Sequence, residues 1–168
     1  AFIVSDLYLA KYISDNFKTV EVHISTQDSI TNRDAAIFYR EIGASRVVLA
    51  RELSQEEIKE ISSIPNLETE VFIHGAMCTC FSGRCALSNY VTNRDANRGG
   101  CAQVCRFAFD YKDNDKFTLA TKDLNMAIFI KDLIDIGVSS LKVEGRMRSL
   151  YYLATVIGSY RFLIDSIY

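Results

Sequence analysis

Short apolar stretches alternate with longer helix-like stretches along almost the whole chain, and this alternation limits the fold more than any other feature. We predict six strands, which are Phe2–Val4, Val20–Ile24, Val47–Ala50, Thr69–Ile73, Phe117–Ala120 and Ser140–Val143. They are short and nearly all apolar, as expected for strands whose two faces are both covered. Strands that alternate with helices in this way predict βαβ units and a parallel sheet.

Capping signals mark several of the helices between these strands. Ser54 and Glu57 form a capping box, Thr31 with Asp34 resembles a helix N-terminus, and glycines 43 and 137 stand where helices end. The predicted helices are residues 7–16, 31–42, 54–63, 124–136 and 150–167.

Polar side chains follow every predicted strand. They are Asp6, Gln27, Arg51 with Glu52, His74, Lys122 with Asp123, and Glu144 with Arg146. The carboxyl ends of the strands form one face of a (β/α) barrel, where active sites lie, or one edge of a doubly wound sheet. A strand end is also simply where polar residues begin, but six polar ends in a row favour a functional site. We expect a pocket with catalytic residues His74, Lys142, Glu144 and Arg146 on one side, and substrate-binding residues Gln27 and Arg51 opposite. His74 alone is equally compatible with a metal ligand or a core histidine.

Six strands fall short of a complete barrel, which needs eight strands in roughly 200 residues or more. The chain has 168 residues, 49% of them hydrophobic, which suits one domain with a proper core. We therefore predict an α/β fold in which residues 1–168 form the C-terminal part of a TIM-like barrel. Its first and last strands would have open apolar edges, which are templates for pairing with another chain. We expect a fragment of a longer polypeptide, the partner of a second half-barrel chain, or a homo-oligomer.

A long segment without clear periodicity, residues 75–116, interrupts the alternation and holds all five cysteines. Ordinary connections run about 4–6 residues, and this segment is too rich in Cys, Tyr and Phe to be disordered. The spacing is Cys78-x6-Cys85-x15-Cys101-x3-Cys105, with Cys80 between the first two. It matches neither a zinc ribbon nor the compact run of small ferredoxins. We expect a metal-binding insertion, and the spacing leaves a 4Fe-4S cluster and a zinc site both open, with free buried thiols as the other alternative.

The cysteine segment is also locally basic. Between residues 84 and 106, four arginines accompany one acid, Asp95, so this window carries +3 while the whole chain carries −2. Guanidinium groups bind phosphates and carboxylates through paired hydrogen bonds. Arg94, Arg98 and Arg106, together with Asn97, are therefore candidate substrate-binding residues. The alternative is a solvated surface, or arginines that bind carbonyl groups of their own loop.

The N-terminus, Ala-Phe-Ile-Val-Ser-Asp, lacks the basic start and the continuing apolar stretch of a signal peptide. No run approaches the roughly 18 apolar residues of a membrane span. We therefore expect a cytoplasmic protein with no membrane partner. Cysteines in a reducing compartment more often bind metal or do chemistry than form disulfides, and five of them fit four ligands and one bystander.

Several motifs together resemble the collagenase-like peptidase family U32. They are E-V-F-I-H-G-A-M-C-x4-G-R-C-A-L-S from Glu70, R-D-A-N-R-G-G-C-A-Q-V-C-R from Arg94, S-T-Q at Ser25, V-L-A-R-E-L-S at Val48, K-D-L at Lys122 and K-V-E-G-R-M at Lys142. The resemblance covers nearly the whole chain. It is closest to the bacterial tRNA hydroxylation members, which are related to the ribosomal-RNA cytidine hydroxylase.

The resemblance implies a barrel with a 4Fe-4S cluster on Cys78, Cys85, Cys101 and Cys105. It also implies hydroxylation of the wobble uridine of tRNA to 5-hydroxyuridine, with prephenate as a co-substrate. Cys80 departs from the family pattern, in which a small residue that is not a ligand usually stands. A missing first half-barrel of about three βα units would complete the fold.

Two other functions remain open from the sequence. One is a peptidase, as the historic family name says, and the other is a non-catalytic half-barrel scaffold for a partner. The sequence holds neither H-E-x-x-H nor G-x-S-x-G. A dyad of His74 with Cys78 or Cys80 would place its nucleophile among clustered cysteines, which are poor solo nucleophiles.

Overall fold

The computed structural model describes residues 1–112, 115–146 and 148–168. Its helices are α1 (Leu7–Asn16), α2 (Arg33–Glu41), α3 (Gln55–Ser62), α4 (Leu87–Thr92), α5 (Ile130–Ile136) and α6 (Leu150–Asp165). Its strands are β1 (Phe2–Val4), β2 (Val22–Ile24), β3 (Arg46–Val48), β4 (Glu68–Gly75), β5 (Phe109–Asp110), β6 (Lys116–Phe117), β7 (Leu124–Asn125) and β8 (Ser140–Val143). Two residues of the predicted 75–116 insertion, Asp113 and Asn114, and Met147 of the K-V-E-G-R-M motif lie outside the described residues.

Five strands form a parallel sheet in the order in which they occur in the chain. β1 pairs with β2, β2 with β3, β3 with β4, and β4 with β8. The helices between them connect neighbouring strands, so the parallel α/β prediction is confirmed. The described strands lack the reversal of order that defines a doubly wound sheet.

The structure corrects the prediction between residues 109 and 136. The predicted strand 117–120 is wrong, because β6 pairs with β5 in a separate two-stranded sheet. The predicted helix 124–136 begins only at Ile130, because residues 124–125 form β7, which runs antiparallel to the end of β4. The reason is that β4 is longer than β3. Because β3 pairs only with residues 68–70, the backbone amide and carbonyl groups at the end of β4 need other hydrogen-bond partners, which β7 supplies. The Met126 amide donates to the Ile73 carbonyl over 2.9 Å.

Local capping chemistry sets the helix starts. Ser54 and Glu57 form the predicted capping box at α3. The N-cap of helix α2 lies one residue later than expected, because Asn32 and not Thr31 provides it, with its side-chain oxygen 2.8 Å from the Ala35 amide. Short polar caps of this kind stabilise a helix by roughly 0.5–2 kcal/mol.

One face of the sheet packs against the helices and forms the core. Val22, Ile24 and Val47 are at most 1% exposed, and they lie among apolar residues of α1, α2, α3, α5 and α6. Full burial of such a side chain contributes roughly 1.5–3 kcal/mol. This face therefore supplies most of the hydrophobic stabilisation of the fold.

The opposite face of the sheet carries a charged ladder. Glu70, only 8% exposed, accepts hydrogen bonds from Lys142 Nζ at 2.6 Å and from Ser140 Oγ at 2.9 Å, and Arg46 Nη1 lies 3.4 Å away. Arg46 Nε also donates to Glu68 over 2.8 Å. Burial opposes the ionisation of Glu70, but the neighbouring cations and the Ser140 hydroxyl outweigh it and lower the pKa of this carboxyl. The ionised form of Glu70 therefore stabilises the folded state.

Apolar side chains are exposed on β1, at one edge of the sheet, and on α6, which follows β8. Phe2 and Ile3 of β1 are each 58% exposed, and α6 presents Tyr151 at 81% and Phe162 at 78%. Among the described residues no strand pairs with the outer edge of β1. None of the described helices has the length and apolar character that crossing a membrane requires.

These surfaces predict that the 168-residue chain associates with itself when it is isolated, because exposed apolar patches and open edges favour pairing. Light scattering should report oligomers, and a hydrophobe-sensitive dye should bind. A monodisperse and thermally stable monomer that binds no dye would contradict this prediction.

Candidate metal centre

All five cysteines lie between β4 and β5 and are free thiols. This part of the chain is mostly loop, and it contains α4 and three short 3-10 turns at residues 81–83, 96–98 and 104–106. Cys78 and Cys101 are exposed, and the other three are half-buried. The segment leaves the sheet at the carboxyl end of β4, next to the predicted strand-end site.

The thiols of this segment converge. Burial, and then the nearby Cys78 and Cys85 thiols, raise the pKa of Cys80 to about 12. Burial and the thiols of Cys101, Cys78 and Cys85 raise the pKa of Cys105, and Arg106 partly opposes this effect. Thiols influence one another in this way only when they are close in space. The two halves of the segment, 78–85 and 101–105, therefore meet.

The donor set fits a thiolate-bound metal centre, because zinc and iron–sulfur clusters both take cysteine thiolates as ligands. A lone zinc ion draws four ligands to about 2.3 Å, and within the described residues no three His, Cys, Asp or Glu side chains are close enough to hold one ion. A cluster binds each thiolate through a different iron, so its ligands stand further apart. The Gln103 amide donates to Cys101 Sγ over 3.4 Å, and the Ser88 hydroxyl lies 4.0 Å from the same sulfur.

Hydroxyl side chains hold the segment in shape. Ser88, 1% exposed, accepts from the Ala102 amide over 3.0 Å and so joins α4 to the second pair of cysteines. Thr118 and Thr121 donate to the carbonyls of Cys105 at 3.0 Å and Met77 at 2.8 Å. Sequence reasoning assigned no role to these hydroxyl groups; the one signal for Ser88 was its place in the G-R-C-A-L-S motif.

Arg84 joins the segment to the end of β2. Its Nε donates to the Gln27 carbonyl over 2.7 Å, and its Nη2 lies 3.7 Å from Asp28 Oδ1. Burial raises the pKa of Asp28, and Tyr39 and Arg84 oppose that rise. The structure thus places Gln27 in contact with the cysteine segment, through its backbone.

His74 lies at the end of β4, directly beside the end of β8. The Glu144 amide donates to the His74 carbonyl over 2.8 Å, so the two residues are on the same end of the sheet. Gly75 makes this approach possible: its φ is +111°, and a Cβ there would lie 2.5 Å from the Glu144 carbonyl oxygen.

The His74 ring is oriented by Tyr160 of α6, whose hydroxyl is 3.2 Å from His74 Nδ1. The same hydroxyl is 3.0 Å from the Ile73 carbonyl, which can only accept. Asn125 Oδ1 lies 3.2 Å from the hydroxyl as well, so the Ile73 carbonyl and the Asn125 side chain compete for its single hydrogen.

The other predicted strand-end residues separate into two groups. The Arg146 guanidinium lies 3.3 Å from the position that a Cβ on Gly99 would occupy, so the loop after β8 reaches the cysteine segment. Lys142 and Arg51 instead flank the Phe72 ring, at 5.3 Å and 4.0 Å from its centroid. Lys142 is already paired with Glu70 on the charged ladder. The structure thus places Arg146 against the cysteine segment, and Lys142 and Arg51 against Phe72 of the sheet.

The predicted basic residues differ in their partners. Arg98 is 88% exposed and 3.4 Å from Asp95, and Arg94 is exposed as well. Arg106 lies 3.7 Å from Asp123, which Arg148 also binds. The Asn97 side chain accepts from the Cys85 amide at 3.4 Å and so orders the loop itself. Arg94 and Arg98 are therefore the most accessible of the four to an external phosphate.

A surface cavity lies elsewhere, between α2 and α3, and is lined by Asn32, Arg33, Asp34, Glu57 and Glu60. None of its lining residues belongs to the cysteine segment or to the strand ends. We assign it no part in the site.

Comparison with known proteins gives consistent matches along the whole chain. The family model described as peptidase family U32 matches residues 1–168. The tRNA hydroxylation protein P1 of Bacillus subtilis (strain 168) is 45% identical, over 98% of this chain and 42% of that protein. The 23S rRNA 5-hydroxycytidine C2501 synthase of Escherichia coli (strain K12) is 36% identical, over 99% of this chain and 26% of that protein. The collagenase of Porphyromonas gingivalis (strain ATCC BAA-308 / W83) is 37% identical, over 99% of this chain and 44% of that protein.

A solved structure has a similar fold. The U32 peptidase Mk0906 superimposes with a TM-score of 0.51 and 13% identity, over 88% of this chain and 55% of that one. The chain thus spans less than half the length of each of these three curated relatives.

Proposed function

This chain belongs to peptidase family U32, and we propose that it acts in RNA modification, as a hydroxylase of the wobble uridine of tRNA. The observation that carries this proposal is that the two cysteine-bearing halves of the segment meet, through Asn97 on the Cys85 amide and Ser88 on the Ala102 amide, and that Arg146 reaches the same segment. The names of its relatives supply the reaction class, since tRNA and rRNA hydroxylation proteins match nearly the whole chain.

The proposed architecture is half of a TIM-like barrel. The parallel strands follow chain order without a reversal, and curated relatives are more than twice as long as the matched region. In such a barrel the carboxyl ends of the strands face the active site. We propose that further strands complete the barrel, contributed by the same polypeptide, by a second half-barrel chain or by another copy.

The proposed metal centre is a 4Fe-4S cluster on Cys78, Cys85, Cys101 and Cys105, with zinc as the alternative occupant. When bound, such a cluster supplies one-electron transfer. The segment contributes four thiols, a close amide at Cys101 and a hydrogen bond that orders the Cys85 amide. Cys80 remains a bystander in this assignment.

The proposed substrates are tRNA and prephenate. Arg94 and Arg98 would bind phosphate on the outer face of the cysteine segment, since both are exposed. Prephenate carries two carboxylates, and Arg146 lies against the cysteine segment where a guanidinium could bind one. His74 Nε2 would accept or hold a proton beside it, with Tyr160 fixing the ring.

The peptidase function is less well supported by the site. A cysteine nucleophile needs a lowered pKa, whereas the pKa values of Cys80 and Cys105 are raised. The third candidate, a half-barrel scaffold without catalysis, differs from the first by lacking any modified RNA product.

Nucleoside analysis tests the proposal. The chain, together with the strands that complete its barrel, should be produced in a bacterial host that lacks its own tRNA 5-hydroxyuridine activity, and in that host 5-hydroxyuridine should reappear in tRNA. Anaerobically purified protein should contain iron and sulfide and absorb visible light. Gelatin digestion without any hydroxylated nucleoside would favour the peptidase, and an unmodified tRNA pool with no digestion would favour the scaffold.

RNA binding should depend on salt through the exposed arginines. Arg94→Ala and Arg98→Ala should each reduce the slope of log affinity against log salt by roughly 0.7–0.9, because each phosphate contact releases a counterion. Arg33→Ala, on the exposed start of α2, is the matched control and should leave the slope unchanged. Filter binding across a salt series measures this, and an unchanged slope in both loop variants would exclude RNA phosphate as their partner.

A further inference from the structure

The turn between Cys80 and Cys85 is held by a carboxylate from a different part of the sheet. Glu52, in the loop after β3, accepts from the Ser82 amide through Oε1 at 2.7 Å and from the Ser82 hydroxyl through Oε2 at 2.6 Å. Both carboxylate oxygens therefore bind one residue, which is only 1% exposed. The hydrogen bonds from Ser82 outweigh partial burial and lower the pKa of Glu52, which keeps this carboxyl ionised near neutral pH.

Ser82 needs such a partner because its backbone is strained. Its φ is +45° and its ψ +30°, in the left-handed region, and Gly83 follows with a φ of +80°. A residue other than glycine stays in this region only where its surroundings hold it there. Two consecutive left-handed residues reverse the chain between the first two cysteines of the proposed centre.

The second anchor of this turn is weaker. The Arg84 side chain is 64% exposed, and it reaches the end of β2 through one hydrogen bond to the Gln27 carbonyl and an ion pair with Asp28 at 3.7 Å, which solvent screens. Glu52 provides two short charge-assisted bonds to a buried residue, where solvent screens them much less. The position of the turn relative to the sheet therefore depends mainly on Glu52.

We propose that Glu52 is a positioning residue for the metal centre: it holds Ser82 in its left-handed conformation and thereby sets the separation of Cys78 from Cys85. This inference rests on the four-cysteine centre of the proposed function. Glu52 does not bind the metal, and it acts through two hydrogen bonds to the turn that carries the ligands.

Metal retention tests the proposal. Glu52→Ala protein reconstituted anaerobically with ferrous iron and sulfide should lose iron to a chelator about 10–100-fold faster than wild type, as for residues that orient metal ligands. Its reduced cluster should also give an altered electron paramagnetic resonance spectrum. Glu52→Gln keeps an acceptor for the Ser82 amide and should lie between the two. Glu56→Ala, which removes a carboxylate from the exposed start of α3, is the matched control and should retain iron as wild type does.

Measurements on the metal-free proteins distinguish a defect in metal binding from a defect in folding. Their circular dichroism spectra and melting temperatures should agree between wild type and Glu52→Ala. Iron loss at the wild-type rate with an unchanged spectrum in Glu52→Ala would overturn the role of Glu52 alone. The proposed role of Glu52 would also be overturned if the metal-free Glu52→Ala protein melted at a lower temperature to the same degree as it lost iron. Glu52 would then stabilise the fold and not the metal centre in particular. Wild-type protein that binds neither iron nor zinc would overturn the four-cysteine centre itself.

Discussion

Serine in place of any one of Cys78, Cys85, Cys101 and Cys105 should abolish metal binding, whereas Cys80→Ser should leave it intact. Each of the four thiolates would hold a different corner of the centre, and serine is too hard a ligand to replace a thiolate on iron. Iron and sulfide analysis, together with the visible absorbance band, should therefore fall to background in four variants and persist in the fifth.

Cys80→Ser is the decisive variant, because geometry alone does not separate Cys80 from its neighbours. Cys80 lies close enough to Cys78 and Cys85 for their thiols to raise its pKa, and its bystander role follows from the family pattern. Loss of all metal in Cys80→Ser, with metal retained in one of the other four variants, would show that the ligand assignment is wrong.

Glu70→Gln should destabilise the protein by about 3 kcal/mol at pH 7, the second large effect that we expect. The substitution removes a carboxylate that is almost fully buried. On the charged ladder this carboxylate lies between Lys142 and Arg46 and pairs with both. Breaking a buried ion pair on one side costs about 3–5 kcal/mol, and the partial exposure of both cations places this case at the lower end. Urea unfolding measures the difference.

The effect should depend on pH with a definite sign. Folding lowers the pKa of Glu70 below its ordinary value of 4.5. Its contribution is therefore complete above pH 4.5 and is lost as the pH falls through the lower native pKa. The difference in unfolding free energy between wild type and Glu70→Gln should therefore become smaller once the pH falls below the native pKa of Glu70. Glu68→Gln is the control: its side chain is 53% exposed, so its cost should stay within about 1 kcal/mol. Equal effects of the two substitutions, or a gap that does not change with pH, would contradict this account of Glu70.

Much of the fold could be predicted from local signals. The strand Phe2–Val4 and the helix Leu7–Asn16 occur with the predicted boundaries. The Ser54–Glu57 capping box is present, and Gly137 ends α5 in the left-handed conformation. These features depend on residues within one or two turns of each other, so a single stretch of sequence contains the whole cause.

The region from residue 109 to residue 129 could not be predicted in this way. Leu124–Asn125 forms a strand because the end of β4 extends beyond β3 and has free backbone groups. That requirement arises about fifty residues earlier in the chain, and a local pattern of apolar residues does not contain it. The sequence around Leu124 therefore forms a strand because it pairs with β4, although its local pattern is typical of a helix.

For the candidate site, the residue types and their spacing indicate the chemistry, whereas the arrangement of the side chains follows from the fold. Five thiols, a histidine at a strand end and a local excess of arginine are properties of residue type and spacing. Only the folded structure shows that Lys142 pairs with Glu70 on the sheet, that Arg146 reaches the cysteine segment, and that Glu52 binds Ser82. Hydrogen bonds and ion pairs between residues 30 to 72 positions apart depend on how the strands align, and that alignment is a property of the whole sheet.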